Sequence, residues 1–251
     1  MNEDVIWITK NGVHVPITNA YMNDKIKQEA NKQKYNDENF KYLLEDEEYD
    51  KYVEMSEESY SKLTPNEEKL ISSLYTKTEH SYQVNDALRI GKEETDWLVK
   101  ENFKELIDTM DKACKTYTSE QNMASTRFVD FDYLRNAYGL KIQKYGDIDR
   151  SQVANQMKQF IGSEISSKAY TSVSLNESGN GMFNNLAVKM KINMPKGTKM
   201  YVADNVGEFE AILGRNTKMQ LKKVSFKQST IKGFENEYGK VLLTYEVIND
   251  E

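Results

Sequence analysis

One change of rhythm constrains this chain more than any other feature. Through residues 64–115 apolar side chains recur three and four apart, and beyond Met123 they alternate with polar ones. The first spacing matches the 3.6-residue turn of a helix, the second the two-residue repeat of a strand. Thr64 and Pro65 read as an N-cap and a first-turn proline, followed by the stripe Leu70, Ile71 and Leu74. A second helix is expected over 82–90 and a third over about 93–115, where Trp97, Leu98, Phe103, Leu106, Ile107 and Met110 form one core-facing stripe. Strands are expected at 125–130, 169–175, 186–194, 199–203, 209–213, 218–226 and 241–248, with short helices at 133–137 and 151–161. Helices first and strands afterwards predict an α+β fold with largely antiparallel sheets.

The first 60 residues differ. Two strand-like pieces, 5–8 and 13–17, precede a stretch dense in charge and tyrosine over 23–60. This divides the chain into an acidic N-terminal arm, 1–60, and a domain over 61–251. Within the arm, the run LLEDEEYDKYVEMSEE reads as the solvated face of a helix.

Charge and composition exclude several classes. The formal net charge is -6, with 40 acidic against 34 basic side chains, so nothing recruits a nucleic-acid backbone. A single cysteine, Cys114, rules out an intramolecular disulfide and a thiolate zinc site, and two histidines, His14 and His80, are too few for a histidine-rich one. No metal is therefore expected. No apolar run approaches the roughly 20 residues that span a bilayer, and the N-terminus lacks a signal peptide's basic-then-apolar order. The expected setting is the cytoplasm of a host or target cell, away from the membrane. The sequence carries no mark of an oligomeric state.

Three features of the second half carry chemistry: an arginine on a strand, Arg127; a Ser-Val-Ser with Ser172 and Ser174; and a Glu-Phe-Glu with Glu208 and Glu210. In an extended segment residues i and i+2 share a face, so both carboxylates enter one site. Like charges that close raise one pKa, a device found more at sites than elsewhere. An ordinary exposed strand face is the other reading of the same residues.

The order of these features resembles the arginine-serine-glutamate class of ADP-ribosyltransferases, in particular the enzymatic components of actin-modifying clostridial binary toxins and their bacteriophage relatives. The resemblance spans about 71–226. LYTKTEHSYQVNDALR is similar to the class's aromatic-rich helical segment, STRFVD to its arginine strand and AYTSVSL to its Ser-Thr-Ser strand. MKINMPKGTKMYVAD resembles its apolar strand, Pro-Lys-Gly-Thr turn and next strand, and VGEFEAILGRNTKMQL its glutamate loop and strand.

What the resemblance implies is specific. The fold is helices followed by two packed, mostly antiparallel sheets around a cleft for NAD, the co-substrate. The reaction is transfer of ADP-ribose to an arginine of a target protein with release of nicotinamide. Glu210 is then the catalytic carboxylate, Ser172 holds it, and Glu208 orients the acceptor guanidinium, with 204–207 contacting the target. Arg127 holds the pyrophosphate through its charged fork. Ser174, Phe183, Asn85, Tyr75 and Tyr82 also fall at cofactor positions, although core packing is the other reading of Phe183, Tyr75 and Tyr82. The loop NESGNGMFNN is either the segment that folds over the cofactor or an ordinary hairpin turn. The sequence departs from the class at Val173, at Phe128 and at Leu186, the last two standing where relatives carry arginine. Two alternatives remain: an NAD glycohydrolase, with water as acceptor, and a virion-associated protein with an inactive domain. The second rests on the opening VIWITKNGVHVPI, which looks like segments of phage head-associated proteins.

Overall fold

The computed structural model describes residues 35–43, 49–76, 80–90, 97–143, 148–179, 183, 185–205, 207–233, 235 and 238–249. It also describes the backbone of two short strands, 6–10 and 13–17. Those two, β1 (Ile6–Lys10) and β2 (Val13–Ile17), form an antiparallel hairpin.

Four helices follow. Helix α1 (Tyr49–Ser61) lies in the segment read as an acidic arm; its glutamates 54, 57 and 58 face outward while Tyr52, Met55, Ser56 and Ser59 are buried. Helix α2 (Pro65–Ile71) starts where the sequence places it. Thr64 Oγ1 accepts from the Glu67 backbone N–H, and Glu67 Oε2 accepts from Thr64 N–H at 2.7 Å, a reciprocal capping box that satisfies two otherwise orphaned donors. It runs on into a π-helical turn, Ser72–Thr76, and the next described helices are α3 (His80–Ile90) and α4 (Trp97–Ala113). Lys112 of α4 binds the Glu67 carboxylate at 2.7 Å and ties the two helices.

The strands form one nine-stranded sheet in the order β3-β8-β9-β6-β4-β7-β11-β10-β5. They are β3 (Tyr117–Thr118), β4 (Met123–Val129), β5 (Glu164–Ser166), β6 (Thr171–Ser174), β7 (Val188–Met194), β8 (Lys199–Val202), β9 (Glu210–Leu213), β10 (Lys218–Lys227) and β11 (Lys240–Ile248). Between β4 and β5 come α5 (Phe131–Tyr138), capped by Asp130 and closed by Gly139 at φ 64°, and α6 (Arg150–Met157), capped by Asp149. Among the described residues every strand pairing is antiparallel except β7 with β11, and Lys41 forms an isolated parallel bridge to Met123. The long strands lie within one or two residues of expectation; β3 and β5, two and three residues long, are too short to leave a periodicity.

The two sheets implied by the resemblance are the two halves of this one sheet. They meet at a single pair, Thr126 opposite Ser174. Beside that joint the strands splay, and the segment 41–43 fills the gap: Ala124 N–H donates to Lys41 O and Leu43 N–H to Leu175 O. A methionine-rich core fills the space between the halves, with Met190, Ile192 and Met194 of β7 meeting Met200, Val202, Val173 and Ala211. The opposite face of β8, β9 and β6 is covered by α2, α3 and α4 through Ile71, Leu74, Leu106, Met110, Tyr170, Tyr201 and Ile212. Each such side chain taken from water contributes about 1.5–3 kcal/mol. Among the described residues no helix is long and apolar enough to cross a membrane.

Candidate active site

Strand alternation sends Tyr170, Ser172 and Ser174 toward the helices and Val173 into the core between the halves. Opposite Ser174 on β9 stands Glu210, on the same side as Ser172. Ser172 Oγ donates to Glu210 Oε1 at 2.5 Å, which fixes the carboxylate's orientation. Its other oxygen, Oε2, is buried with no hydrogen-bond partner among the described residues. Burial is the main cause that lifts the Glu210 pKa from 4.5 to about 7, and Glu208 adds to it. Ser172, Asn205 and Arg127 work against the rise.

Arg127 reaches this group from the other half of the sheet. Its Nη1 donates to Ser172 O at 2.6 Å, across the joint, while its Nε is buried without a partner among the described residues. Burial and the neighbouring Arg89 lower its pKa, whereas Tyr133, Tyr75 and Tyr82 favour its charge. A guanidinium held in this way stays protonated.

Glu208 arrives by a route the sequence reading did not foresee. The extended geometry expected across 208–210 begins only at Glu210; Glu208 and Phe209 lie in a turn, and Phe209 has φ 49°. Left-handed backbone at a bulky residue is a strained conformation that surrounding contacts must hold. Here Phe209 O accepts from Leu175 N–H at 2.9 Å and Glu208 O from Ser174 Oγ at 2.7 Å. The two carboxylates thus come together through a turn, and the shared strand face is not the cause.

The sequence of residues 32–249 matches the family described as ADP-ribosyltransferase exoenzyme. The chain belongs to that family. No curated protein matches it in sequence. Among solved structures it is similar in fold to Plx2a, an ADP-ribosyltransferase toxin from Paenibacillus larvae, with 20% identity and TM-score 0.65, covering 84% of this chain and all of that one. Similar too is an ADP-ribosyltransferase from Clostridium botulinum, at 17% identity and TM-score 0.60 over 82% of this chain and 99% of that one. A third is BECa of a C. perfringens binary enterotoxin, crystallised with NADH, at 17% identity and TM-score 0.65; this chain spans half its length.

The remaining predicted residues of this ADP-ribosyltransferase fall into three groups. Tyr75 and Asn85 are hydrogen-bonded to each other, and Tyr75 lies close enough to Glu210 and Arg127 to feel their charges. Tyr75 is 2% exposed, and Asn85 donates to its hydroxyl at 2.8 Å while accepting from Tyr170 N–H at 3.1 Å. The pair fastens α3 to the start of β6. Tyr170 in turn donates to Asp111, which also binds Arg215. Ser174 is likewise engaged, by Glu208 O, and braces the turn. Tyr82, by contrast, is 62% exposed, close enough to Arg127 to act on its charge and clear of the core. Phe183 is half-buried; residues 180–182 and 184 beside it lie outside the described residues. Two residues near Arg127 were not singled out from the sequence, Arg89 and Tyr133. Arg89 closes the quoted segment LYTKTEHSYQVNDALR, so its signal was present; Tyr133 carried none, because only the packing of α5 brings it there.

Proposed function

We propose that this chain is a mono-ADP-ribosyltransferase that takes its ADP-ribosyl group from NAD and places it on an arginine of a target protein. The observation that carries the reading is the convergence of Arg127, Ser172, Glu208 and Glu210 on one place, from three strands and a turn. Two buried polar atoms without partners among the described residues, Arg127 Nε and Glu210 Oε2, fit a ligand that offers phosphate oxygens to one and a ribose hydroxyl to the other.

NAD supplies a ribosyl carbon that becomes cationic as nicotinamide leaves. Arg127, with Arg89 beside it, holds the phosphates and so makes good the arginines replaced by Phe128 and Leu186. Glu210, ionised and held by Ser172, stabilises the positive charge where it develops. A pKa of about 7 leaves the group partly protonated at neutral pH, and a cationic ligand beside it draws the proton off. Glu208 orients an incoming guanidinium toward the ribosyl carbon and accepts its proton. The turn 204–207 contacts the target, Phe183 and Tyr82 flank the nicotinamide end, and no metal takes part. The protein acts within the cell that holds its target; carriage by a virion is one route there, for which the β1–β2 hairpin is the candidate attachment.

Incubation with labelled NAD and a cell lysate tests the reading. A labelled protein band that is lost with Glu210→Gln and released by arginine-specific hydroxylamine treatment is the expected result. Free ADP-ribose alone identifies a glycohydrolase, and equal labelling by both proteins removes Glu210 from the chemistry.

A further inference from the structure

We infer that Tyr52, on helix α1, is a positioning residue for the acceptor carboxylate: its hydroxyl grips both ends of the turn 203–210 and thereby sets where Glu208 stands relative to Glu210. The inference rests on the transferase reading above. Its basis is geometric. Tyr52 is fully buried, and its Oη lies 2.5 Å from Ala203 O, 3.1 Å from Glu210 O and 3.3 Å from Asn205 O. Three carbonyl oxygens therefore converge on one phenolic proton. Asn205 O and Glu210 O also accept from the Glu208 and Ala203 N–H groups, so without the phenol the turn keeps these backbone ties but loses the one donor that all three carbonyls share. Burial also raises the phenol's pKa, so the proton is always present to be shared.

The same helix holds the turn at further points. Ser59 Oγ accepts from Val202 N–H and Tyr60 Oη accepts from Asp204 N–H, each at 3.1 Å. The Tyr52 ring meets Phe209 edge-on at 5.1 Å, which steadies the one left-handed residue between the two glutamates. Glu208 O and Phe209 O are taken by Ser174 and Leu175, so the inner side of the turn is fastened from β6 as well as from α1. The Glu208 and Asp204 side chains, on the same turn, are the groups that would meet an acceptor. Helix α1 precedes every motif that the resemblance to the class covers, yet it shapes the part of the site that chooses between arginine and water.

Tyr52→Phe tests this, because it removes the hydroxyl and keeps the ring against Phe209. Hydrogen exchange is followed on the 203–210 segment of the full chain, alongside a thermal melt. The expected result is exchange about tenfold faster in that segment, with the β10–β11 amides unchanged. Unchanged exchange at 203–210 overturns the clamp whatever the chemistry does. In parallel, NAD is supplied with agmatine as the guanidine probe, and ADP-ribosyl-agmatine and free ADP-ribose are quantified together. Transfer is expected to fall more than hydrolysis, lowering their ratio about tenfold, whereas a merely structural loss lowers both alike. An unchanged ratio overturns the link to Glu208. A wild-type chain that hydrolyses NAD but never modifies agmatine counts against arginine as acceptor, and the exchange arm alone then decides whether Tyr52 holds the turn.

Discussion

The two halves of the sheet are built differently. On one side of the Thr126–Ser174 joint lie β7, β11 and β10, of 7, 9 and 10 residues; on the other, β6, β8 and β9 have four residues each. Among the described residues, the long half brings Arg127 to the candidate site. The short half carries both serines and both glutamates, and side chains from outside the sheet hold it: Asn85 from α3, Tyr52 from α1. Ladder hydrogen bonds make long strands stiff, and a region with few of them can hold a strained residue such as Phe209 and a buried carboxylate such as Glu210. Buried apolar residues pack on both halves, whereas the hydroxyl and carboxylate groups of the candidate site concentrate in the short one.

The sharpest break of that division is chemical. Glu210→Gln is expected to lower both transfer and NAD hydrolysis by about 10²–10³-fold, the loss typical of a removed transition-state electrostatic partner, read from product formation under saturating NAD. Met190→Ala in the long half should do the converse. It empties a fully buried core position and should cost about 2–5 kcal/mol of stability in denaturant unfolding, while kcat of the folded fraction holds. Arg127→Lys exchanges a planar fork for a point charge at the joint; a rise in KM for NAD of about tenfold or more is expected, with a smaller change in kcat.

Ser172→Ala acts inside the short half. The serine lowers the Glu210 pKa, so its removal should shift the rising limb of the pH–rate profile to higher pH and lower the rate about tenfold at neutral pH. A limb that stays in place would show that Ser172 does not act through the carboxylate. The last effect is on stability. The folded-state pKa of Glu210 is raised, so the folded chain holds that proton more tightly than the unfolded one, and the burden of the buried charge develops as pH rises from 4.5 to 7. Glu210→Gln should therefore match the wild type below about pH 4.5 and be more stable above pH 7, by up to about 3 kcal/mol. Melting curves at pH 4 and pH 8 would read this difference directly.

Periodicity is legible when an element is long and half its residues face a core. That is why β7, with Val188, Met190, Ile192 and Met194 inward and Lys189, Lys191 and Asn193 between, could be placed from sequence, and why Thr64, Pro65 and Glu67 announced α2. Short elements held by their neighbours leave no such trace, and β3 and β5 were missed on that account. Among the site residues, the order Arg127, Ser172, Glu208, Glu210 could be read because each stands in a recognisable local pattern. Tyr75 and Asn85 carry no such mark, because an aromatic and an amide on a helix look the same whether they line a cleft or brace it from behind.

Sequence alone settled which side chains bear charge and hydroxyls, how far apart along the chain they stand, and which stretches repeat every two or every 3.6 residues. These are local properties, written in residue type and spacing. Only the tertiary structure decided that Glu208 and Glu210 meet through a left-handed turn, that Arg127 spans a joint one residue pair wide, and that a tyrosine from α1 closes the turn. Those arrangements depend on groups 45 to 158 residues apart becoming neighbours, and spacing along a chain carries no information about such pairs until the core has packed.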